Sequence, residues 1–237
     1  MTGPGLERAT GTAACLETQG GSASPTLNAV LTAVAALVPS PERPVLVVVD
    51  GADGAGKTRF AEALASTLIG LGRVVVPASI DDFHHPRAHR HAHGRTAETV
   101  WTRSFDIAGL RRELIDPWLA GPGSAYRRRR HDLASDASVD EAPVSVPERG
   151  VLVVDGVFSQ RPELVDAWDV VIWLEVPDEI RVARMAARDG GVDDLDDPDQ
   201  QRYLGAQRIY REACDPAGRA DVVVDNTDWE HPVLVRG

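Results

Sequence analysis

A continuous apolar run, Val45-Leu46-Val47-Val48-Val49, passes through Asp50 directly into Gly51-Ala52-Asp53-Gly54-Ala55-Gly56-Lys57-Thr58. The run suits a strand buried on both faces. The octet matches G-x-x-x-x-G-K-[ST]. Phe60, Ala61, Leu64, Ala65 and Leu68 follow it at helical spacing until Gly70 and Gly72 close the pattern. Strand, glycine-rich loop and helix in immediate succession make a phosphate cradle, in which loop N–H groups and a helix N-terminus face the anion. Lys57 is the only lysine among 25 basic residues. It stands where a slender ammonium reaches the β- and γ-phosphates of a nucleotide. The chain is expected to bind a nucleoside triphosphate.

Further strands are expected at Val74-Val75-Val76, Val151–Val154, Val170–Leu174 and Val222-Val223-Val224, with helical patterns near 106–119, 178–188 and 199–213. Strands alternating with helices imply right-handed crossovers and a parallel sheet covered on both sides. The expected fold class is α/β: the three-layer αβα sandwich of the P-loop NTPases, with a five-stranded parallel sheet and a mobile lid at about 185–200. Leu27, Val30, Leu31, Val34, Leu37 and Val38 add a helix behind Ser24-Pro25. Residues 1–24, rich in Gly, Ala, Thr and Ser, read as a flexible extension, which leaves 25–237 as one domain.

The formal charge of −11 argues against nucleic-acid binding as the main activity. Cys15 and Cys214 are too few for a disulfide framework. The N-terminus lacks the pattern of a secretory signal, and no apolar stretch is long enough to span a membrane. A cytoplasmic protein with no membrane partner is expected, acting on a small molecule. A homo-oligomer is compatible with the sequence.

Ligands in such sheets sit beyond the carboxyl ends of the strands. Gly51, Gly54 and Gly56 let the loop curl, so that Asp53, Gly54, Ala55, Gly56, Lys57 and Arg59 surround the phosphates, and Thr58 offers a hydroxyl to Mg²⁺. Asp155, ending a strand, is the second candidate Mg²⁺ ligand, directly or through water. A switch GTPase is disfavoured, because no Asn-Lys-x-Asp motif follows a later strand. Asp81 and Asp82 are adjacent, and in an extended strand they point to opposite sides. One of them can take a proton from an attacking hydroxyl. Arg181, Arg184 and Arg188 share a helix face ahead of the acidic segment from Asp189 to Asp194, as suits a lid that neutralises transition-state charge. His84, His85, His89, His91 and His93 match no structural zinc spacing and read as a polar loop over the substrate cleft. Arg127–Arg130 are expected to alternate between solvent and an anionic ligand, with Tyr126 and His131 in reach of a planar base.

Taken together, these segments resemble the uridine kinase and phosphoribulokinase branch of P-loop kinases, in its actinobacterial form, over nearly all of residues 44–227. The likeness rests on Asp50–Thr58, Ile80-Asp81-Asp82-Phe83-His84, Ser104-Phe105-Asp106 and Val153–Phe158. It extends to Arg181–Arg184 with Ala187-Arg188-Asp189, Arg202-Tyr203, Cys214-Asp215-Pro216 and Ala220–Val224. The resemblance implies ATP and Mg²⁺ as cofactors and phosphorylation of a primary hydroxyl, with uridine or cytidine the best named acceptor. Aligned on Phe83, the family's catalytic base falls on Asp81, with Asp82 in a serine position. Lys57 and Arg184 complete the implied catalytic set, and Phe83, His84, Asp106, His131 and Arg184 join Asp81 around the acceptor. Arg181 and Arg188 are implied to reach nucleotide phosphates. Two positions depart from the family pattern. Asp155 stands for a glutamate, and His131-Asp132-Leu133 stands where nucleoside kinases place an aromatic residue before Asp-Phe. Alternatives are a kinase for another hydroxyl metabolite (pantothenate, a sugar phosphate, nicotinamide riboside) or a nucleotide-binding regulatory protein.

Overall fold

The computed structural model describes residues 26–40 and 42–237; the extension expected at 1–24 lies outside the described residues. Helix α1 (Leu27–Leu37) leads to strand β1 (Val45–Gly51), helix α2 (Lys57–Gly70) and strand β2 (Val74–Ser79). A single 3₁₀ turn, Ile80–Phe83, then a short helix at Arg87–His91, precede helix α3 (Ala97–Arg103). After a broken helical stretch and two short ribbons come strands β3 (Gly150–Gly156) and β4 (Val170–Glu175). Helices α4 (Asp178–Asp189) and α5 (Pro198–Cys214) and strands β5 (Val222–Asp225) and β6 (Val233–Arg236) complete the chain.

The sheet order is β6-β5-β4-β1-β3-β2. The five expected strands are all present and mutually parallel. A sixth, β6, adds to the edge antiparallel to β5. Every residue of β1 is buried, and alternate side chains enter different cores. Val45, Val47 and Val49 pack with Val34, Phe60 and Leu64 of α1 and α2. Leu46 and Val48 pack with Phe83, Trp118 and Tyr210 on the opposite side. Two apolar layers on one doubly buried sheet give the expected αβα sandwich.

The helix expected over 106–119 is not continuous. It starts at Ile107, widens into a π-turn at Arg111–Ile115, and resumes at Asp116–Ala120. Pro117 lacks the N–H that an uninterrupted α-helix would use there, and the wider turn accommodates the break.

β1 ends in a buried acid. Asp50 is fully enclosed. Its carboxyl accepts from Tyr210 Oη, from Gln160 Nε2 at 3.1 Å and from the Gly51 N–H at 2.8 Å. Tyr210 belongs to α5, and its Oη also accepts from the Gln160 N–H at 2.9 Å. Gln160 Nε2 donates further to the Pro216 carbonyl at 3.0 Å. A strand end, a distant helix and two loops therefore meet on one carboxyl group. Burial pushes Asp50 up from 3.8 to about 6, against the opposing pull of Tyr210, Gln160, Gly51 and Lys57. An acid whose pKa rises on folding favours the native state most below its unfolded value. That contribution fades as pH climbs through the folded value. Relative to wild type, Asp50→Asn should lack a loss of stability of roughly 3 kcal/mol between about pH 4 and 6. Urea unfolding of both proteins across that range measures it; parallel pH profiles would contradict the assignment.

Candidate active site

The glycine-rich loop is shaped by two close approaches. Gly54 has φ +77°, and a Cβ there would lie 2.5 Å from the Arg181 carbonyl. Gly56 has φ +88°, and its Cβ would lie 2.9 Å from Asn226 Nδ2. Both the backbone region and the available space therefore exclude a side chain. Asn226 Nδ2 also donates to the Ala55 carbonyl at 2.8 Å, and Arg181 Nη1 donates to the Asp53 carbonyl at 2.7 Å. Helix α2 begins at Lys57, so its unpaired N–H groups open onto the loop. Lys57 Nζ donates back to the Ala52 carbonyl at 2.9 Å.

Register sets the acidic partner. Asp155 on β3 pairs with Val49 of β1 on one side and Ser79 of β2 on the other. Thr58 Oγ1 donates to Asp155 Oδ2 at 2.7 Å. Burial raises the Asp155 pKa, while Thr58 and Lys57 oppose the shift. A hydroxyl and a carboxylate, both hard oxygen donors beside the phosphate loop, fit Mg²⁺, which keeps several waters and uses few protein ligands. Among the described residues no group of three or more His, Cys, Asp or Glu converges as a metal cage.

Asp81 and Asp82 occupy the 3₁₀ turn after β2 rather than an extended strand, yet they still diverge. The Asp81 carboxylate is 60% exposed. It lines two adjoining cavities. Asp82 instead accepts from Arg129 Nε at 2.8 Å. His84 Nδ1 lies 2.8 Å from the Asp81 carbonyl; a carbonyl can only accept, so this nitrogen carries the proton. Burial lowers the His84 pKa, with partial opposition from Asp81.

Four cavities run in sequence along the carboxyl edge of the sheet. The first, about 270 Å³, is largely apolar in outline, with Leu27, Phe60 and Trp229 among its walls and the Arg59 guanidinium 3.2 Å above the Trp229 ring. The second, about 300 Å³, holds Lys57, Thr58, Asp81, Asp155, Arg184 and Arg188. The third, about 260 Å³, is walled by Asp81, His84, Ser104, Phe105, Gln200 and Tyr203 among others. A fourth, of about 40 Å³, continues past His84 and Ser104. Arg59 and Arg184 border both the first and second cavities. Asp53, Asp81 and Arg188 border the second and third.

Several expected site residues lie elsewhere. Arg181 is 2% exposed; it pairs with Asp178 and braces the loop from behind instead of facing phosphate. Phe83 is fully enclosed in the core beneath the acidic turn. Asp106 caps a helix by accepting from the Gly109 N–H at 2.8 Å. His131 is buried against Asp136 at 3.2 Å, and Tyr126 packs on Trp118; neither borders these four cavities. All four arginines of the 127–130 run are neutralised within the fold, by Glu113, Glu141, Asp82 and Asp132. By contrast Arg184, held by the carbonyls of Asn226 and Thr227, and Arg188, paired with Asp189, do border the phosphate cavity. Trp229 carries no sequence signal, and Asn226 is legible only as a polar residue directly after a strand.

A family model described as Zeta toxin matches residues 28–106, a stretch that holds the loop and the acidic turn but less than half of the chain. A uridine kinase of Lactiplantibacillus plantarum is 26% identical over 193 residues, 77% of this chain and 87% of its own. A possible uridine kinase from Bacillus stearothermophilus superposes with a TM-score of 0.65 at 23% identity, covering 83% of this chain and 96% of that one. A candidate fructose transport system kinase from Silicibacter sp. TM1040 gives 0.61 at 25% identity, with 80% and 96% covered. The chain is a P-loop kinase-type phosphotransferase, similar in sequence and fold to uridine kinases.

Proposed function

We propose that the protein transfers the γ-phosphoryl group of ATP to a hydroxyl of a small molecule bound on the Asp81 side of the loop. The observation that carries this reading is the placement of Asp81, an exposed carboxylate on the wall between the cavity of Lys57 and Thr58 and the next one. In this reading the nucleoside lies in the first cavity beside Trp229 and Arg59, and the triphosphate lies in the second. The acceptor oxygen attacks the γ-phosphorus, the bond from that phosphorus to the β,γ-bridging oxygen breaks, ADP leaves, and the hydroxyl proton passes to Asp81. Thr58 and Asp155 would hold Mg²⁺, which supplies charge neutralisation between the β- and γ-phosphates. Lys57, Arg184 and Arg188 neutralise the remaining charge, and the segment at about 185–200 acts as a lid that excludes water. A cytoplasmic location, where ATP is abundant, fits this chemistry.

Uridine or cytidine is the acceptor that the resemblance implies. Of the residues it assigns to that acceptor, Asp81, His84 and Arg184 border the central cavities, whereas Phe83, Asp106 and His131 do not. The acceptor is therefore a small hydroxyl compound, with no narrower class fixed by these residues. A regulatory nucleotide-binding protein would have no use for an exposed carboxylate facing an acceptor cavity.

ATP consumption should rise on adding the acceptor. Asp81→Asn should lower that stimulated rate about 10²- to 10⁴-fold, the usual worth of a general base, while Asp82→Asn keeps most of it. Equal losses in both variants would remove Asp81 from its role. Lys57→Arg preserves charge but places a planar fork in a tight loop. It should weaken binding of a non-hydrolysable ATP analogue in a fluorescence titration, and near-normal turnover in this variant would overturn the assignment.

A further inference from the structure

The fourth cavity is not needed by the nucleotide. It shares no wall with the phosphate cavity, but it shares His84, Arg90, Ser104 and Tyr203 with the acceptor cavity. Its remaining walls bring Arg95 and Arg202 beside Arg90. The Arg90 and Arg202 side chains are only 18% and 13% exposed.

Their local acids do not balance them. Asp199 serves both Arg95, at 3.0 Å, and Arg202, at 3.4 Å, and is itself 59% exposed. Asp136 lies 3.9 Å from Arg90 and is already shared with His131 and the Arg87 N–H. The 3.4 Å contact to Asp199 is made by the buried Arg202 Nε, which forms no hydrogen bond there. Burial and repulsion from Arg87 and Arg202 lower the Arg90 pKa. Burial first, and then repulsion from Arg90, Arg95 and Arg202, lowers the pKa of the half-buried His91. Tyr203 Oη accepts from Arg202 Nη2 at 2.9 Å, leaving its own proton to donate. In a chain of net charge −11, this is a sheltered pocket of excess positive charge. Enclosed guanidinium groups with unused donors are stabilised by a planar or tetrahedral oxyanion.

We propose that the acceptor carries a phosphate or carboxylate group, held by Arg90 and Arg202 at the far end of the cavity, while its hydroxyl lies at Asp81. This rests on the kinase reading of the site. It departs from a neutral nucleoside acceptor, and it draws on arginines distant in sequence from the 127–130 run.

Two measurements on the full chain test it. The first saturates the protein with Mg²⁺ and a non-hydrolysable ATP analogue, so that the loop is filled, and titrates inorganic phosphate and, separately, malonate by calorimetry. Saturable binding of at least one anion is expected, weakened about tenfold or more in Arg90→Gln and in Arg202→Gln and partly kept in Arg202→Lys. The exposed Arg112→Gln serves as control, and thermal melts of each variant check folding. No binding to the loaded wild type, or binding as tight as wild type in both glutamine variants, would overturn the proposal. The second compares acceptor-stimulated ATP consumption within matched pairs: fructose 6-phosphate with fructose, glycerol 3-phosphate with glycerol, pantothenate with panthenol, and uridine and cytidine beside them. Charged members should be preferred, and Arg90→Gln should raise their KM far more than it lowers kcat. The pairs separate phosphate from carboxylate as the group recognised. Preference for uridine or for the neutral members would refute the anion site and leave the kinase reading intact. Anion binding at the arginines with no stimulation by any compound would count against the kinase reading and keep the site.

Discussion

The carboxyl group of Asp50 is where the sheet, the phosphate loop and helix α5 are joined. Its oxygens accept from Gly51 at the start of the loop, from Tyr210 on α5 and from Gln160 after β3. A second tie runs parallel to it, from Gln207 Nε2 of α5 to Asp53 Oδ2 at 3.2 Å. An isolated buried carboxyl would be costly, and three donors offset that cost only in one arrangement of the surrounding chain. The loop that faces phosphate thus inherits its position from a helix whose other end carries Gln200, Arg202 and Tyr203 into the acceptor region. In the proposed reading, one helix thus ties the nucleotide end of the site to the acceptor end.

How far this frame can be read from sequence depends on how local each signal is. The first strand, loop and helix are legible because apolar period, glycine spacing and Lys57 all fall within a short stretch and agree with one another. Asp155 is legible because it ends a strand, and the divergence of Asp81 from Asp82 survives although the backbone there is a 3₁₀ turn. The residues that resist reading have their roles fixed by partners far along the chain. Nothing near Arg127–Arg130 shows that Glu113 and Asp82 will neutralise them. Asp106 looks like a ligand residue until the helix it caps is seen, and Phe83 until the core closes over it. Trp229 meets Arg59 across 170 residues of chain.

Charge is distributed against the composition. The molecule is acidic overall, yet the cavity edge from Arg59 through Arg184 and Arg188 to Arg90 and Arg202 is basic. Net charge describes the whole surface, while cations gathered along a cleft set which ligand is drawn in. Of the acidic side chains that enter the cleft, Asp81 and Asp155 stand where the proposed reaction would place a proton and a divalent cation.

Lys57 has a chemical consequence beyond phosphate recognition. As the only lysine of the chain, it is the only side-chain primary amine. It sits over the loop, with Nζ on the Ala52 carbonyl. An amine-acylating reagent therefore has a single side-chain target, and that target lies in the phosphate cavity itself. The rate of its modification becomes a direct reporter of whether the cavity is filled, with no label introduced and no other lysine to confuse the signal.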